Sequence, residues 1–200
     1  MKIAIIIMFL QCFYIASAQD TTKAIKIIPE ISMKIGSQQP AVGGQLNLIA
    51  GVLFNTKYFV GIGGGYTSNM GMGGSTIPLF FDGRYYFSLP KSFLFAAKDE
   101  ENNFQVDVQV GMDINNNTPF KTGFLAGIGV AYRFDFIKIK EFNFPSFYAG
   151  LNIEYNRTGF YDEYRGYAIQ DGYIKHTMLN IKVAFDINAI PVNFTKKNDD

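Results

Sequence analysis

Eight segments of the chain alternate apolar and polar residues with a period of two, and this pattern constrains the fold more than any other feature of the sequence. In FQVDVQVGMDI, residues 104–114, every second residue is apolar, and the residues between them include Asp107 and Asp113. Successive side chains of a β-strand point to opposite faces, so each segment predicts a strand with one apolar and one polar face. The predicted strands are 25–36, 44–54, 58–66, 76–88, 104–114, 122–135, 146–155 and 177–187. The sequence therefore predicts an all-β fold.

The positions of the glycines indicate which face is inside. In a soluble sheet the apolar face would form the core, whereas in a membrane barrel it meets lipid and the polar face fills the lumen. Glycine gives no advantage on a solvated outer face, whereas in the crowded interior of an eight-stranded barrel it leaves space for other side chains. The glycines that share the charged register are Gly61, Gly63, Gly65, Gly111, Gly127, Gly129 and Gly150. They favour the membrane barrel.

Aromatic residues near both ends of the apolar register support the same interpretation. In outer-membrane barrels, aromatic girdles flank the apolar band at the two membrane interfaces. One end carries Tyr58, Tyr85, Phe87, Tyr132, Phe134, Phe147 and Phe185, and the other carries Tyr66, Phe124 and Tyr155. The predicted fold is an eight-stranded antiparallel up-and-down transmembrane β-barrel. A soluble lipocalin-like barrel is the alternative, but its interior would be apolar.

The N-terminus has the features of a secretory signal peptide. A lysine precedes an apolar run over residues 3–10, and Ala16 and Ala18 form a small-x-small cleavage site. The run is shorter than the roughly 18 residues that a membrane-spanning helix needs. The predicted organisation is a signal peptide over 1–18, an outer-membrane β-barrel over 19–187 and a periplasmic tail over 188–200.

Cysteine content and charge argue against several function classes. Cys12 is the only cysteine and lies in the predicted signal peptide, so the mature chain would have no disulfide, thiol nucleophile or cysteine metal ligand. Removal of residues 1–18 takes away one of the 18 basic residues, Lys2, and leaves 17 against 17 acidic ones. A nucleic-acid-binding protein would be expected to show a basic surplus, so nucleic acid is not a predicted partner.

The segment IPLFFDGRYYF, residues 77–87, resembles the fourth strand of the small porin-like outer-membrane β-barrel proteins of Bacteroidota, the outer membrane protein beta-barrel domain family. The Gly-x-Gly pattern at 127–129 is similar as well, and the resemblance spans residues 25–187. It implies a location in the cell outer membrane, with outer-membrane lipid and the outer-membrane assembly machinery as partners. Members of the family usually end on an aromatic residue that this machinery reads, whereas here NAIPVNFTKKNDD follows Ile187.

The polar register predicts a cluster of charged side chains in the lumen, formed by Glu30, Asp82, Arg84, Asp107, Arg133 and Lys182. We expect Arg84, Asp107 and Arg133 to form one group, and Glu30 to lie near Lys182 where the barrel closes. Eight strands enclose a space just wide enough for side chains, so paired charges would plug the lumen. The alternative is a narrow porin, or a lateral transporter of small hydrophobic molecules, which needs a gap in the lumen.

Two other motifs point to chemistry but lack residues that it requires. His176 is the sole histidine and begins strand eight at the extracellular side. Some outer-membrane barrels that modify lipids use a histidine with a serine at this rim, but the strands hold no matching His-x-Ser order. Residues 113–117 copy the D-x-N-x-N half of a calcium loop, yet Thr118 and Phe124 replace its glycine and its bidentate glutamate. We therefore expect no catalytic site, no metal site and no cofactor.

With strand one leaving the periplasm, the predicted extracellular loop at 156–176 is the most individual part of the chain. Its residues include Tyr161, Tyr164, Arg165, Tyr167 and Tyr173. Tyrosine and arginine anchor many protein contacts, which favours adhesion or the capture of an extracellular ligand. A self-packed β-extension that protects the barrel mouth is at least as good an interpretation. We predict a structural or surface-interaction role for the loops and no enzymatic activity.

Overall fold

A computed structural model describes residues 23–36, 42–69, 74–88, 103–115, 122–134, 146–160 and 172–191, which form a closed barrel. The strands are β1 (Lys23–Gly36), β2 (Val42–Phe54), β3 (Tyr58–Asn69), β4 (Gly74–Phe87), β5 (Phe104–Asn115), β6 (Gly123–Phe134), β7 (Ser146–Phe160) and β8 (Gly172–Pro191). Each strand pairs antiparallel with the next, and β8 pairs with β1. The predicted eight-stranded up-and-down topology is confirmed. Among the described residues, no helix is long and apolar enough to span a membrane.

The connection between β2 and β3 is a tight turn that marks one end of the barrel. Asn55 and Thr56 both have a left-handed backbone, with φ angles of 49° and 57°. Lys57 N donates a hydrogen bond to Phe54 O at 3.0 Å. Asparagine tolerates positive φ, whereas a β-branched residue such as Thr56 is strained there. We call this end of the barrel the turn end and the opposite end the loop end.

β7 and β8 extend further than their apolar alternation predicts. β7 ends at Phe160 rather than 155, and β8 begins at Gly172 rather than 177. The two strands stay paired out to Phe160 and Gly172. From Arg157 onward the outward register of β7 is no longer apolar, so the apolar alternation is lost while backbone pairing continues. The segment predicted as a loop at 156–176 therefore begins as a β-ladder.

β8 also continues past Ile187, where the barrel was predicted to end, so residues 188–191 belong to the barrel. Its last residue, Pro191, pairs with Ala24, and the register between β1 and β8 shifts between Ala24 and Ile25. Proline has no N–H to donate, which accounts for an irregular ladder at this end of β8. The rest of the predicted tail lies outside the described residues, as does the predicted signal peptide.

Burial follows the alternation along most of the length of the strands and places the apolar face outside. The outward side chains of Ile62 and Phe81 are each 63% exposed, whereas the inward Arg84 is 3% exposed and Asp107 is 0% exposed. The two carboxylates of the segment 104–114 therefore point into the lumen. A charged interior within an apolar exterior contradicts the lipocalin-like alternative. It is the arrangement of a transmembrane barrel of the outer-membrane type, whose outer face meets lipid.

Aromatic side chains define the two edges of the apolar band. At the turn end a run of ring contacts, with centroids 4.7–6.0 Å apart, joins Tyr58, Tyr85, Phe87, Phe104, Tyr132, Phe134, Phe147 and Phe185. At the loop end, Tyr66, Phe124 and Tyr155 each lie on the same strand as a member of this run, eight residues from Tyr58, Tyr132 and Phe147 respectively. Eight strand residues span about 27 Å along the strand. At a tilt of about 40° this is about 20 Å of membrane, close to the usual apolar band of about 25 Å.

Candidate functional site

Arg84 is the centre of the first group of charges in the lumen. β4 places Asp82 and Arg84 two residues apart on its inward face, and Arg84 Nε donates to Asp82 Oδ1 at 2.7 Å. Arg84 Nη2 lies 3.3 Å from Glu30 Oε2. β1 and β4 are not neighbours in the barrel, so this ion pair crosses the lumen. Asn47 Nδ2 donates to Glu30 at 3.5 Å, and Gln109 Nε2 donates to Asp82 at 3.0 Å. We call these five residues the Arg84 cluster.

Lys182 forms the second group with Asp107 and Asn152, which we call the Lys182 cluster. Lys182 Nζ lies 2.5 Å from Asp107 Oδ2, and Asn152 Nδ2 donates to Asp107 Oδ1 at 3.3 Å. β8 and β5 lie three strands apart, so this pair also crosses the lumen. Gly129 makes room for it, because a Cβ there would lie 2.8 Å from both carboxylate oxygens and 2.9 Å from Nζ. The ion pair therefore fills the space that a side chain at position 129 would take.

Further ion pairs lie toward the two ends of the barrel. At the loop end, Lys34 Nζ lies 2.7 Å from Glu154 Oε1, and both side chains are 2% exposed. At the turn end Lys26 pairs with Asp186, which also accepts a hydrogen bond from Tyr148 Oη at 3.4 Å. Within the part of the chain that the structure describes, four basic side chains are buried, and each contacts a buried carboxylate: Lys26, Lys34, Arg84 and Lys182.

Aromatic rings occupy other places where glycine removes a side chain. A Cβ on Gly61 would lie 2.8 Å from Cζ of Phe59, and a Cβ on Gly63 would lie 2.5 Å from Cζ of Phe80. The Phe59 ring also lies 5.9 Å from the Arg84 guanidinium carbon. These rings belong to a buried apolar cluster of Ile28, Ile49, Phe59, Phe80, Tyr86, Leu125, Ala131, Tyr148 and Ala184. This cluster was not predicted from the sequence, although the apolar residues within the polar register were a signal for it.

Arg84, Asp107 and Arg133 do not form the single group that the sequence predicted. Arg84 and Asp107 lie opposite each other in the β4–β5 ladder, but their ion pairs go to different residues across the lumen. Arg133 is half-buried opposite Tyr148, whereas Asp107 lies opposite Gly129, four residues away along β6. In a narrow barrel a long side chain reaches the opposite wall, so adjacency within the sheet does not determine its partner.

Glu30 and Lys182, which we expected to lie near each other, are on the paired strands β1 and β8, two residues apart in the register, but their ion pairs are with other residues. The β1–β8 register sets Lys182 opposite Ser32 and Glu30 opposite Ala184. Glu30 and Lys182 do point into one lumen, but each takes its ion-pair partner from a strand three places away around the barrel.

The structure also places the residues of the two weaker motifs. Asp113, from the calcium-like segment, is 2% exposed and points inward, where it accepts hydrogen bonds from Thr76 Oγ1 at 3.5 Å and from Asn156 Nδ2. Its carboxylate is therefore turned away from the outer loop. His176 lies in β8 opposite Asn156.

The predicted loop residues fall mostly outside the part of the chain that the structure describes. Tyr161, Tyr164, Arg165 and Tyr167 lie there. Tyr173 belongs to β8, where its backbone pairs with Gly159 of β7. The paired segments 156–160 and 172–176 thus form the stem that carries the remaining loop.

Comparison with known proteins gives likenesses of shape alone. No protein-family model matches the chain, and no curated protein matches it in sequence. Similar solved structures are the outer membrane protein AlkL in lipid bilayers (9% identity, TM-score 0.46, covering 86% of this chain and 92% of that one) and Neisserial surface protein A (12%, 0.46, 84% and 99%). A de novo designed transmembrane β-barrel is similar too (12%, 0.41, 81% and 95%). These likenesses assign no activity or ligand, and the membrane barrel is established by the chain's own two surfaces.

Proposed function

We propose that this outer-membrane barrel has a structural or surface-interaction role, exercised through its extracellular loops, and that paired charges plug its lumen. The partners we propose are outer-membrane lipid, the outer-membrane assembly machinery and an extracellular ligand or surface. The proposal includes no catalytic step, no cofactor and no nucleic acid. The bacterial group implied by residues 77–87 stays a prediction.

The proposal that the lumen is plugged rests on two ion pairs that cross it, Arg84–Glu30 and Lys182–Asp107. The four side chains that form them are almost fully buried, at 0–4% exposure. The spaces beside the glycines are taken by Phe59, Phe80 and the Lys182 cluster. An eight-stranded barrel has an interior that side chains can fill, so these contacts leave little room for a solute path.

The loop role is supported by the β7–β8 stem. Residues 161–171 connect the two strands of the stem, and this segment is rich in tyrosine with an arginine at 165. Those residue types commonly anchor protein contacts. The stem itself is the β-extension that the sequence left open as an alternative, so it supports both presentation of the loop and protection of the barrel mouth.

Single-channel recording tests the plug. The purified barrel in planar lipid bilayers should show no steady conductance. The double variant Asp107→Ala with Lys182→Ala removes one crossing ion pair without leaving an unpaired charge, and it should raise conductance. Val108→Ala, which alters the lipid-facing neighbour of Asp107, is the matched control and should stay closed. A wild-type barrel with steady conductance would refute the plug and favour the narrow porin.

Replacement of residues 161–171 by Asn-Gly tests the loop role. The pair Phe160–Gly172 would remain as the base of a two-residue hairpin. We would measure the amount of heat-shifted barrel in the outer membrane and the adhesion of the cells to protein-coated plates. Lost adhesion with normal barrel levels supports surface interaction, and lowered barrel levels support the structural role. If neither quantity changes, this loop has neither role.

A further inference from the structure

Charged residues are almost absent from the outward face of the strands. Among the strand residues whose side chains the structure describes, only Arg157 and Lys175 are both charged and outward-facing. Both are exposed basic residues at the loop end. They also lie directly opposite each other in the β7–β8 ladder. The ladder therefore places two basic side chains side by side on the outward face of the barrel.

The two cations belong to a row that crosses three strands. Arg157 lies opposite Phe124 of β6 on one side and opposite Lys175 of β8 on the other. Tyr155 and Thr177, which also face each other and are exposed, form the next row toward the turn end. Phe124 and Tyr155 belong to the loop-end girdle, so the cations stand at the edge of the apolar band. This is the depth at which lipid headgroups lie.

We propose that Arg157 and Lys175, with the flanking Tyr155 and Thr177, bind the phosphate of an anionic lipid in the leaflet that surrounds the loop end. A phosphate beside the two cations can accept a charge-assisted hydrogen bond from each of them. The phenol and hydroxyl of the next row can donate to further phosphate oxygens. Phe124, which is 48% exposed, lies beside Arg157 and offers its ring to the upper part of the acyl chains.

A lipid fits these observations better than a soluble anion. The row is continuous with the lipid-facing surface, where Ile153 and Leu179 follow as the next exposed pair toward the middle of the membrane. A ligand with a phosphate and acyl chains would contact both parts of the surface, whereas inorganic phosphate would contact only the cations. The site is independent of the lumen plug and of residues 161–171.

Native mass spectrometry of the full barrel in maltoside micelles tests the site. The probes are phosphatidic acid and phosphatidylcholine with the same acyl chains, supplied in equal amounts. The wild type should retain phosphatidic acid in preference. Each basic residue near an anionic lipid contributes about fivefold in affinity, so Arg157→Gln with Lys175→Gln should lower the preference about 25-fold. Lys175→Arg should keep it, and so should Lys57→Gln, which removes an exposed lysine at the turn end.

Heat-shifted mobility on SDS gels establishes that each variant folds. If the double variant does not fold, Lys175→Gln alone should lower the preference about fivefold. A wild type without preference, or a folded double variant that keeps it, would overturn the proposal. Competition by excess inorganic phosphate that removes the bound phosphatidic acid would also overturn it, because the cations would then be a site for free phosphate. None of these outcomes bears on the plug or on the loop.

Discussion

Replacing Gly129 with alanine should destabilise the barrel, because the new methyl group enters the space of the Asp107–Lys182 ion pair. The Cβ would lie 2.8 Å from the carboxylate oxygens and 2.9 Å from Nζ. These are the ends of flexible side chains, so they can shift, and overpacking of this kind costs about 1–3 kcal/mol. Complete separation of the buried pair would cost about 3–5 kcal/mol. Alanine recovers about 0.4–1 kcal/mol through the unfolded chain. We therefore expect a net loss of about 0–2.6 kcal/mol, which makes Gly129→Ala about 1–3 kcal/mol less stable than a glycine-to-alanine change in open space.

Two other glycines supply the comparison. A Cβ on Gly44 meets nothing within 4 Å, so Gly44→Ala should be neutral or slightly stabilising. A Cβ on Gly61 would lie 2.6 Å from the backbone oxygen of Ala50, which cannot move aside, so Gly61→Ala should be the most damaging of the three. The assay is urea unfolding in lipid vesicles, read as the fraction of heat-shifted protein on SDS gels. If Gly129→Ala were as stable as Gly44→Ala, the ion pair would not need the glycine and the reasoning would be refuted.

Three further predictions use the same urea assay. Arg84→Met leaves its two carboxylate partners buried without a cation and should cost about 3–5 kcal/mol, whereas a neutral effect would mean that the cluster is hydrated. Thr56→Gly removes the strain of a left-handed β-branched residue and should stabilise the barrel by about 1 kcal/mol; a loss of stability would contradict the turn geometry. Gly63→Ala should destabilise the wild-type barrel but should be tolerated in a Phe80→Ala background, because the ring that the new Cβ would meet is then absent. If the two changes in unfolding free energy were simply additive, the contact would be contradicted.

The sequence predicted the features of this fold that depend on one strand at a time. Alternation identified all eight strands and the inward register, because lipid and a crowded lumen impose opposite requirements on alternate residues. The ends of β7 and β8 could not be predicted, since the apolar alternation stops before NRTGF at 156–160 while the backbone pairing continues. The ion-pair partners of Glu30 and Lys182 could not be predicted either. They depend on which residues face each other across the lumen, and this is set by the stagger of all the strands together.

The contribution of the lumen charges is better described as specificity than as stability. A buried ion pair is weak evidence for stability, because desolvation offsets most of its attraction. In this barrel, however, a one-residue slip of β5 would move Asp107 and Asp113 into lipid and Val108 into the lumen. A basic residue in the middle of the membrane costs about 2–4 kcal/mol, and acidic residues cost less. Because several strands carry inward charges, a slip of any of them would place charges in lipid. The charges therefore disfavour barrels with a wrong strand register. That cost falls to about 0–1 kcal/mol near the interface, which is where the two outward cations, Arg157 and Lys175, lie.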